Sequence, residues 1–256
     1  MLEARGVSVR RGEREVVRGV SLSVAGGEVA GLIGPNGSGK STLLSALAGL
    51  RRLAGGEVLL EGRGVGGMPV AERARRLAYL PQNPECHWPL DTAQVVALGR
   101  LPHRSGWGDG YTPRDDAVVQ NAMRQLEVAS LAARPVNRLS GGERMRVMLA
   151  RAFAVEPAVL LADEPVDGLD PYHQLHVMEL LRERAAAGCA VLVVLHELAL
   201  AGRFCDRLLL LRDGRILADG APDAVLTEGL CARAYGVETA ALERDGARAL
   251  VPWRRL

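Results

Sequence analysis

Lysine is almost missing from this 256-residue chain. Of its 32 basic residues, thirty-one are arginine and one, Lys40, is lysine. A composition that uses arginine nearly everywhere has kept lysine at a single place. Long apolar runs are missing too. The longest, Cys189–Leu195, is of strand length and falls short of the ~18 residues a membrane span needs. Cysteines at metal-ligand spacing are absent. Cys86, Cys189, Cys205 and Cys231 are far apart and form no C-x-x-C pair, so reduced cytosolic thiols are expected and a structural metal is not. The net charge is only +2, which gives no argument for nucleic-acid binding. Repeats and low-complexity tracts are absent. Met1–Gly12 is charged and lacks an apolar stretch, so no leader peptide is expected there. What remains is 48% hydrophobic and 24% charged, an ordinary globular composition. It suits one large domain, or a core with a subdomain, with a sizeable interior.

Val7, Val9, Val16, Val20, Leu22 and Val24 alternate with polar residues between glycines, which predicts short antiparallel strands up to Gly26-Gly27. Glu28–Ile33 reads as a buried strand and Lys40–Leu50 as a helix. A strand over Glu57–Glu61, a helix over Ala71–Leu77 and a strand over Leu77–Leu80 come next. From Asn83 to Arg114 prolines punctuate the chain, with Trp88 and Trp107 among them, and loops and short helices are expected. Helices are predicted at Arg114–Leu131, Glu143–Val155 and Leu175–Ala187. Ala158–Ala162 and Ala190–Leu195 are unbroken apolar runs, as a parallel sheet covered on both faces requires. With a helix between them they form a βαβ unit, and an α/β doubly wound class is expected. Glu238–Leu250 carries Asp245-Gly246 between apolar-rich halves, a hairpin signal.

Gly34-Pro-Asn36-Gly37-Ser38-Gly39-Lys40-Ser41 matches the phosphate-loop pattern at every fixed position, with a strand before it and a helix after it. Glycines let the backbone curl so that successive N–H groups face phosphate oxygens. The helix N-terminus adds positive potential. Lys40 reaches the terminal phosphates as a movable point charge, and Ser41 can ligate Mg²⁺.

The run Ala158–Ala162 ends in Asp163-Glu164. Ligands in open parallel sheets bind at the carboxyl ends of strands. Neighbouring strand residues face opposite ways, so the two acids should do different work. Asp163 is assigned to Mg²⁺ through water and Glu164 to the water that attacks the γ-phosphate. His196 ends the next apolar strand and is placed to contact the γ-phosphate. Leu139-Ser140-Gly141-Gly142-Glu143 opens another helix. Ser140 and Glu143 form a capping box, and the bare glycines beside Ser140 let a phosphate approach the helix tip. The cap and the anion site are compatible, because the cap builds the site.

Gly34–Thr42, Gln82, Leu139–Glu143, Ala158–Glu164, Gly168-Leu169-Asp170 and His196 stand in the order found in ABC transporter ATPases. They resemble that family's Walker A loop, Q-loop, signature, Walker B, D-loop and switch histidine. The resemblance covers roughly residues 1–235. It implies a P-loop NTPase (RecA-like) core with a mainly parallel sheet, an N-terminal antiparallel β subdomain and an inserted α-helical subdomain. The core would be about 1–83 and 156–235, the helical part about 84–155, and 236–256 a C-terminal tail with the hairpin. Within the family, Leu77–Gln82, Val96–His103 and His173-Gln174 resemble importer subunits for iron–siderophore, haem and cobalamin uptake. Three departures stand out. Arg11 occupies the place of an adenine-stacking aromatic, Val166 replaces a common Thr, and Glu197 replaces a common Asp.

The resemblance implies ATP and Mg²⁺ as cofactors. Asn36, Gly37, Ser38, Gly39, Lys40, Ser41, Thr42 and Arg11 would bind ATP, and Ser41, Gln82 and Asp163 the metal. Glu164, His196 and Gln82 would be catalytic. Ser140, Gly141, Gly142 and Glu143 would act on a partner's nucleotide, with Asp170 in the D-loop. The partners implied are a second copy, head to tail, and integral-membrane permease subunits whose coupling helix meets Asn83–Trp107, with Trp88, Trp107 and His103 exposed there. A periplasmic or extracellular binding protein would take part indirectly, and no nucleic acid would. The place implied is the cytoplasmic face of the inner membrane, as a peripheral subunit. Two alternatives stand beside this reading: a soluble ABC ATPase acting on nucleic acid or ribosomes, and a nucleotide-binding regulator without turnover.

Overall fold

A computed structural model describes residues 1–84, 89–104, 111–244 and 247–256, without the side chains of 243–249. In chain order the first elements are β1 (Leu2–Arg11), β2 (Arg14–Val24), β3 (Val29–Ile33) and α1 (Lys40–Leu47). Next come β4 (Gly55–Leu60), β5 (Arg63–Gly64), α2 (Val70–Arg76), β6 (Leu77–Leu80), α3 (Thr92–Ala97), α4 (Pro113–Gln125) and α5 (Gly141–Ala154). The last part runs through β7 (Val159–Asp163), α6 (Pro171–Ala186), β8 (Ala190–Val194), α7 (Leu198–Phe204), β9 (Arg207–Arg212) and β10 (Arg215–Gly220). It closes with α8 (Pro222–Val225), α9 (Glu228–Tyr235), β11 (Val237–Arg244) and β12 (Ala247–Arg255).

A six-stranded sheet has the order β10-β9-β3-β8-β7-β6. Its strands are parallel apart from the β9–β10 pair. The alternation in its central strands sorts the core. Leu160 and Ala162 of β7 and Val191 and Val193 of β8 face α5, α6 and α7. Leu161, Leu192 and Val194 face α1 and the second sheet. Both faces are therefore covered, which is why these runs are apolar throughout. The second sheet, in the order β2-β1-β4-β5, is antiparallel. Its inward residues, among them Leu2, Ala4, Val7 and Val9, pack on the same α1 that succeeds β3. The α/β class, the mainly parallel core and the antiparallel N-terminal strands accord with expectation.

Some boundaries differ. The predicted helix Arg114–Leu131 begins one residue earlier, at Pro113, where Thr112 caps it reciprocally with Asp115. It stops at Gln125, because Glu127 takes a left-handed φ of 54° and turns the chain. α1 ends at Leu47, and Gly49 with φ 69° reverses the chain two residues on. The strands of the C-terminal hairpin are present and β12 packs along α7. The turn residues Asp245 and Gly246 lie outside the described residues, as do Cys86, Trp88 and Trp107. Cys189, Cys205 and Cys231 are free thiols.

The helices of α3–α5 are held by a buried charge. Arg100, in the 3-10 turn Leu98–His103, donates through Nε to Asp115 of α4 at 2.7 Å. Its Nη1 donates to the Ala154 carbonyl and the Glu156 carboxylate, each at 2.9 Å. The Arg100 guanidinium and the Thr112 donors hold the Asp115 carboxyl at about 2 instead of 3.8. Removing one partner leaves the other charge in an apolar setting. Asp115→Ala is expected to lower unfolding stability by about 3 kcal/mol, the lower end for a broken buried pair because Glu156 remains. Urea unfolding measures this. The folded carboxyl sits below its unfolded value, so its contribution is complete above 3.8 and is lost as pH falls through about 2. The gap between the two proteins should narrow over that window.

Candidate active site

The edge formed by the carboxyl ends of β3, β7 and β8 collects the chemistry. After β3 the loop turns back so that Lys40, the first residue of α1, donates Nζ to the carbonyls of Gly34 at 2.7 Å and Pro35 at 3.2 Å. Burial lowers the Lys40 ammonium below its ordinary value, against the pull of Glu164 and Asp163. Gly39 caps α1 with φ 108°. A Cβ there would lie 2.9 Å from the Val16 carbonyl oxygen, so both space and conformation require glycine.

A cavity of about 560 Å³ lies over this loop. Arg11, Asn36, Gly37, Gly39, Lys40, Ser41, Thr42, Gln82, Glu164 and His196 all line it. Ten sequence-predicted residues, drawn from well-separated stretches of chain, therefore share one wall. Val16 and Asp167 line it as well and were not predicted. Val16 gave no sequence signal, since its place depends on how the β1–β2 hairpin folds over the loop. Asp167 stands two residues after the Asp163-Glu164-Pro165 turn, and its N–H donates to the Glu164 carbonyl at 3.2 Å.

Glu164 is the centre of the site. It lies just beyond β7, in a left-handed conformation with φ 54°, and is 5% exposed. Gln82, just beyond β6, donates to its Oε2, and His196, just beyond β8, pairs with its Oε1. Asp163 and Glu164 do face different surroundings, though through this backbone turn and not through strand alternation alone. Asp163 ends β7 at 1% exposure, behind the cavity wall. Burial pushes its carboxyl up to about 6, while hydrogen bonding from Ser41 and the charge of Lys40 pull it down. Its Oδ1 has no hydrogen-bond partner, and neither does the buried Ser38 Oγ. An orphaned oxygen on a carboxylate that also bonds the Ser41 side chain suits a hard divalent cation.

The Ser140–Glu143 segment builds a separate hollow. Ser140 Oγ accepts from the Glu143 N–H at 3.2 Å, and Glu143 Oε2 accepts from the Ser140 N–H at 2.8 Å. This is the expected capping box. The hollow beside it, about 400 Å³, is lined by the four signature residues with Gly168, Leu169 and Asp170. A Cβ on Gly142 would meet Leu169 Cδ2 at 3.1 Å, so the helix tip and the Asp170 loop pack closely. None of the lining of this hollow is shared with the phosphate-loop cavity. A smaller groove along Gln82, Gly141, Asp167 and Gly168 runs between the two. His103, expected to be exposed, is half-buried and bound by its ring Nε2 to the Val155 carbonyl at 2.8 Å. Two of the three departures, Val166 and Glu197, share a partner. Gln174 reaches both the Val166 carbonyl at 3.4 Å and the Glu197 carboxylate at 3.1 Å, and Arg11 lines the main cavity.

The ABC transporter family profile matches residues 17–167. Over 254 residues, 98% of this chain and 89% of the relative, the sequence is 47% identical to the hemin import ATP-binding protein HmuV of Streptomyces coelicolor. Among solved structures, the ATP-binding subunit of an ABC transporter superposes with a TM-score of 0.80 at 28% identity, over 90% of this chain and 94% of that one. A dimeric ATP-binding cassette in a post-hydrolysis state, bound to ADP and phosphate, superposes with a TM-score of 0.75 at 27% identity, over 87% and 99%. The chain therefore belongs to the ABC transporter family, as one of its ATP-binding subunits.

Proposed function

We propose that this chain is the ATP-hydrolysing subunit of an importer, driving uptake of haem or a related metal chelate through a separate membrane permease. The cargo class is taken from the hemin-import relative. The hydrolytic role rests on one observation: a buried carboxylate, Glu164, held by Gln82 and His196 at the wall of a phosphate-loop cavity. A regulator without turnover has no use for a general base oriented in this way. An ATPase acting on nucleic acid would need a basic stripe that a net charge of +2 does not supply.

The loop amides and Lys40 bind the phosphates, and Lys40 exchanges its carbonyl partners for phosphate oxygens when it does. Glu164 accepts the proton of the attacking water. Gln82 and His196 hold the carboxylate, and His196 is free to turn towards the γ-phosphate. Ser41, Asp163 and Gln82 would hold Mg²⁺, which supplies charge neutralisation at the phosphates when bound. Arg11 offers a guanidinium plane to the purine in place of an aromatic ring.

Each chain carries two half-sites, the phosphate-loop cavity and the signature hollow. Two copies set head to tail would present Ser140, Gly141 and Gly142 of one to the nucleotide of the other, closing two ATP sites. Only the triphosphate state reaches both faces, so hydrolysis loosens the pair. The reading takes residues 1–235 as one ATPase domain, with core segments about 1–83 and 156–235, a helical subdomain about 84–155 and a tail at 236–256. The permease would dock along the helical part. Leu98 and Leu101 are 37% and 47% exposed there, which supports a contact with an apolar partner. A binding protein on the far side would act only through the permease. No helix among the described residues is long and apolar enough to cross a membrane, and the place proposed for the subunit is peripheral, on the cytoplasmic face.

Glu164→Gln is expected to lower ATP turnover at least about 100-fold while retaining nucleotide binding, and to elute as a dimer with ATP on gel filtration. Hydrolysis at the normal rate would disprove the base assignment. Gly39→Ala forces a Cβ against the Val16 carbonyl and should weaken ATP binding about tenfold. Titration with a fluorescent ATP analogue measures this, and unchanged affinity would show the loop to be more yielding than its geometry.

A further inference from the structure

A chain of contacts beside the signature hollow joins the Asp170 loop to the turn after α4. Asp170 caps α6, its carboxylate accepting from the His173 N–H at 3.0 Å. The His173 ring then does two things. Its Nδ1 lies 2.8 Å from Asp170 Oδ2, and its Nε2 lies 3.6 Å from Glu127 Oε2. Tyr172 donates its hydroxyl to Glu127 Oε1 at 3.1 Å. Glu127 belongs to the left-handed turn after α4. The carbonyls of that turn, at Leu126 and Glu127, accept from Arg146 of α5 at 3.1 and 3.2 Å. The path therefore runs from the Asp170 loop through His173 to the turn, and from the turn through Arg146 back to the helix whose tip is Ser140. His173 and Arg146 both line the hollow itself.

We propose that His173 is a positioning residue for the signature half-site: by bridging Asp170 and Glu127 it holds the Asp170 loop against the tip of α5. The chemistry fits one side chain. In its protonated form an imidazole donates from two ring nitrogens on opposite sides and can serve two carboxylates at once, which neither lysine nor serine does with fixed geometry. This role rests on the two-copy reading, because the half-site acts on the nucleotide of the other copy. The ring of His173 pairs with Asp170 and Glu127, neither of which lines the phosphate-loop cavity, so its loss should leave nucleotide capture alone and slow the step that needs both copies.

The test uses the purified full chain and steady-state ATP hydrolysis. His173→Ala is expected to lower kcat about tenfold with KM for ATP changed by less than about twofold. His173→Asn places an amide donor near the Nδ1 position and should recover part of that loss. Glu127→Ala combined with His173→Ala should cost no more than His173→Ala alone, as members of one chain of contacts do. Tyr172→Phe removes a single hydroxyl from a residue 63% exposed and should lower kcat in the same direction by about twofold. If His173→Ala fails to give a cooperative melt, Tyr172→Phe decides. Normal kcat in His173→Ala, a rise in KM at constant kcat, no recovery in His173→Asn or an unaltered Tyr172→Phe would each overturn the role. Glu164→Gln separates the levels. If it forms no ATP-dependent dimer, the two-copy reading fails and this role with it. If it does form one and the His173 variants turn over normally, only the His173 role fails.

Discussion

The parallel alignment of β3, β8, β7 and β6 is the constraint on which the site depends. Four strands far apart in sequence end at one edge of one sheet. The phosphate loop leaves the end of β3, Glu164 the end of β7, His196 the end of β8 and Gln82 the end of β6. No local interaction could bring these groups together. The pairing of Gly31 with Val193, Ala162 with Val193 and Leu80 with Ala162 does so. Apolar burial on both faces stabilises that pairing, which is why the strands carry almost no polar residue.

Low polarizability at that edge sets the electrostatics. Burial raises the Asp163 carboxyl to about 6 and lowers the Lys40 ammonium. Both shifts disfavour charge, and both would be relieved by an ionic ligand. Glu164 is treated differently, with a partner on each oxygen. One carboxylate is thus left short of partners, which suits a cation, while its neighbour is oriented, which suits a base. The left-handed backbone at Glu164 gives the two adjacent carboxylates these different surroundings within a single peptide unit.

The helical segment from α3 to α5 serves a different purpose. Its own buried pair, Arg100 with Asp115, fixes it as a body. It meets the sheet-bearing part through the apolar face of α5, buried against β6, β7 and β8, and through polar contacts at the Asp170 loop and the Glu127 turn. Gln82 and the groove beside it lie between the phosphate-loop cavity and the signature tip.

Much of the site was legible in the order of residues. The phosphate loop, the acidic strand end, His196 and the Ser140 cap are local: each is a short run whose chemistry is written in adjacent residues. Gln82, Arg11 and Asp170 needed the family pattern as well. Val16, Glu127 and the double contact of His173 were not legible, because their importance lies in what a distant segment brings beside them. His173 stands at a capping distance from Asp170, yet nothing in the chain points to Glu127. The α4 boundary differs from expectation for the same reason, since a residue of ordinary helix propensity is turned left-handed amid contacts from α5 and α6. The amino-acid sequence alone determined which groups could bind phosphate and move a proton, because that chemistry belongs to side chains and their immediate neighbours. Tertiary structure alone decided that these groups face one another, and that the signature faces elsewhere, because only the packing of the sheet and the helices sets distances between segments far apart along the chain.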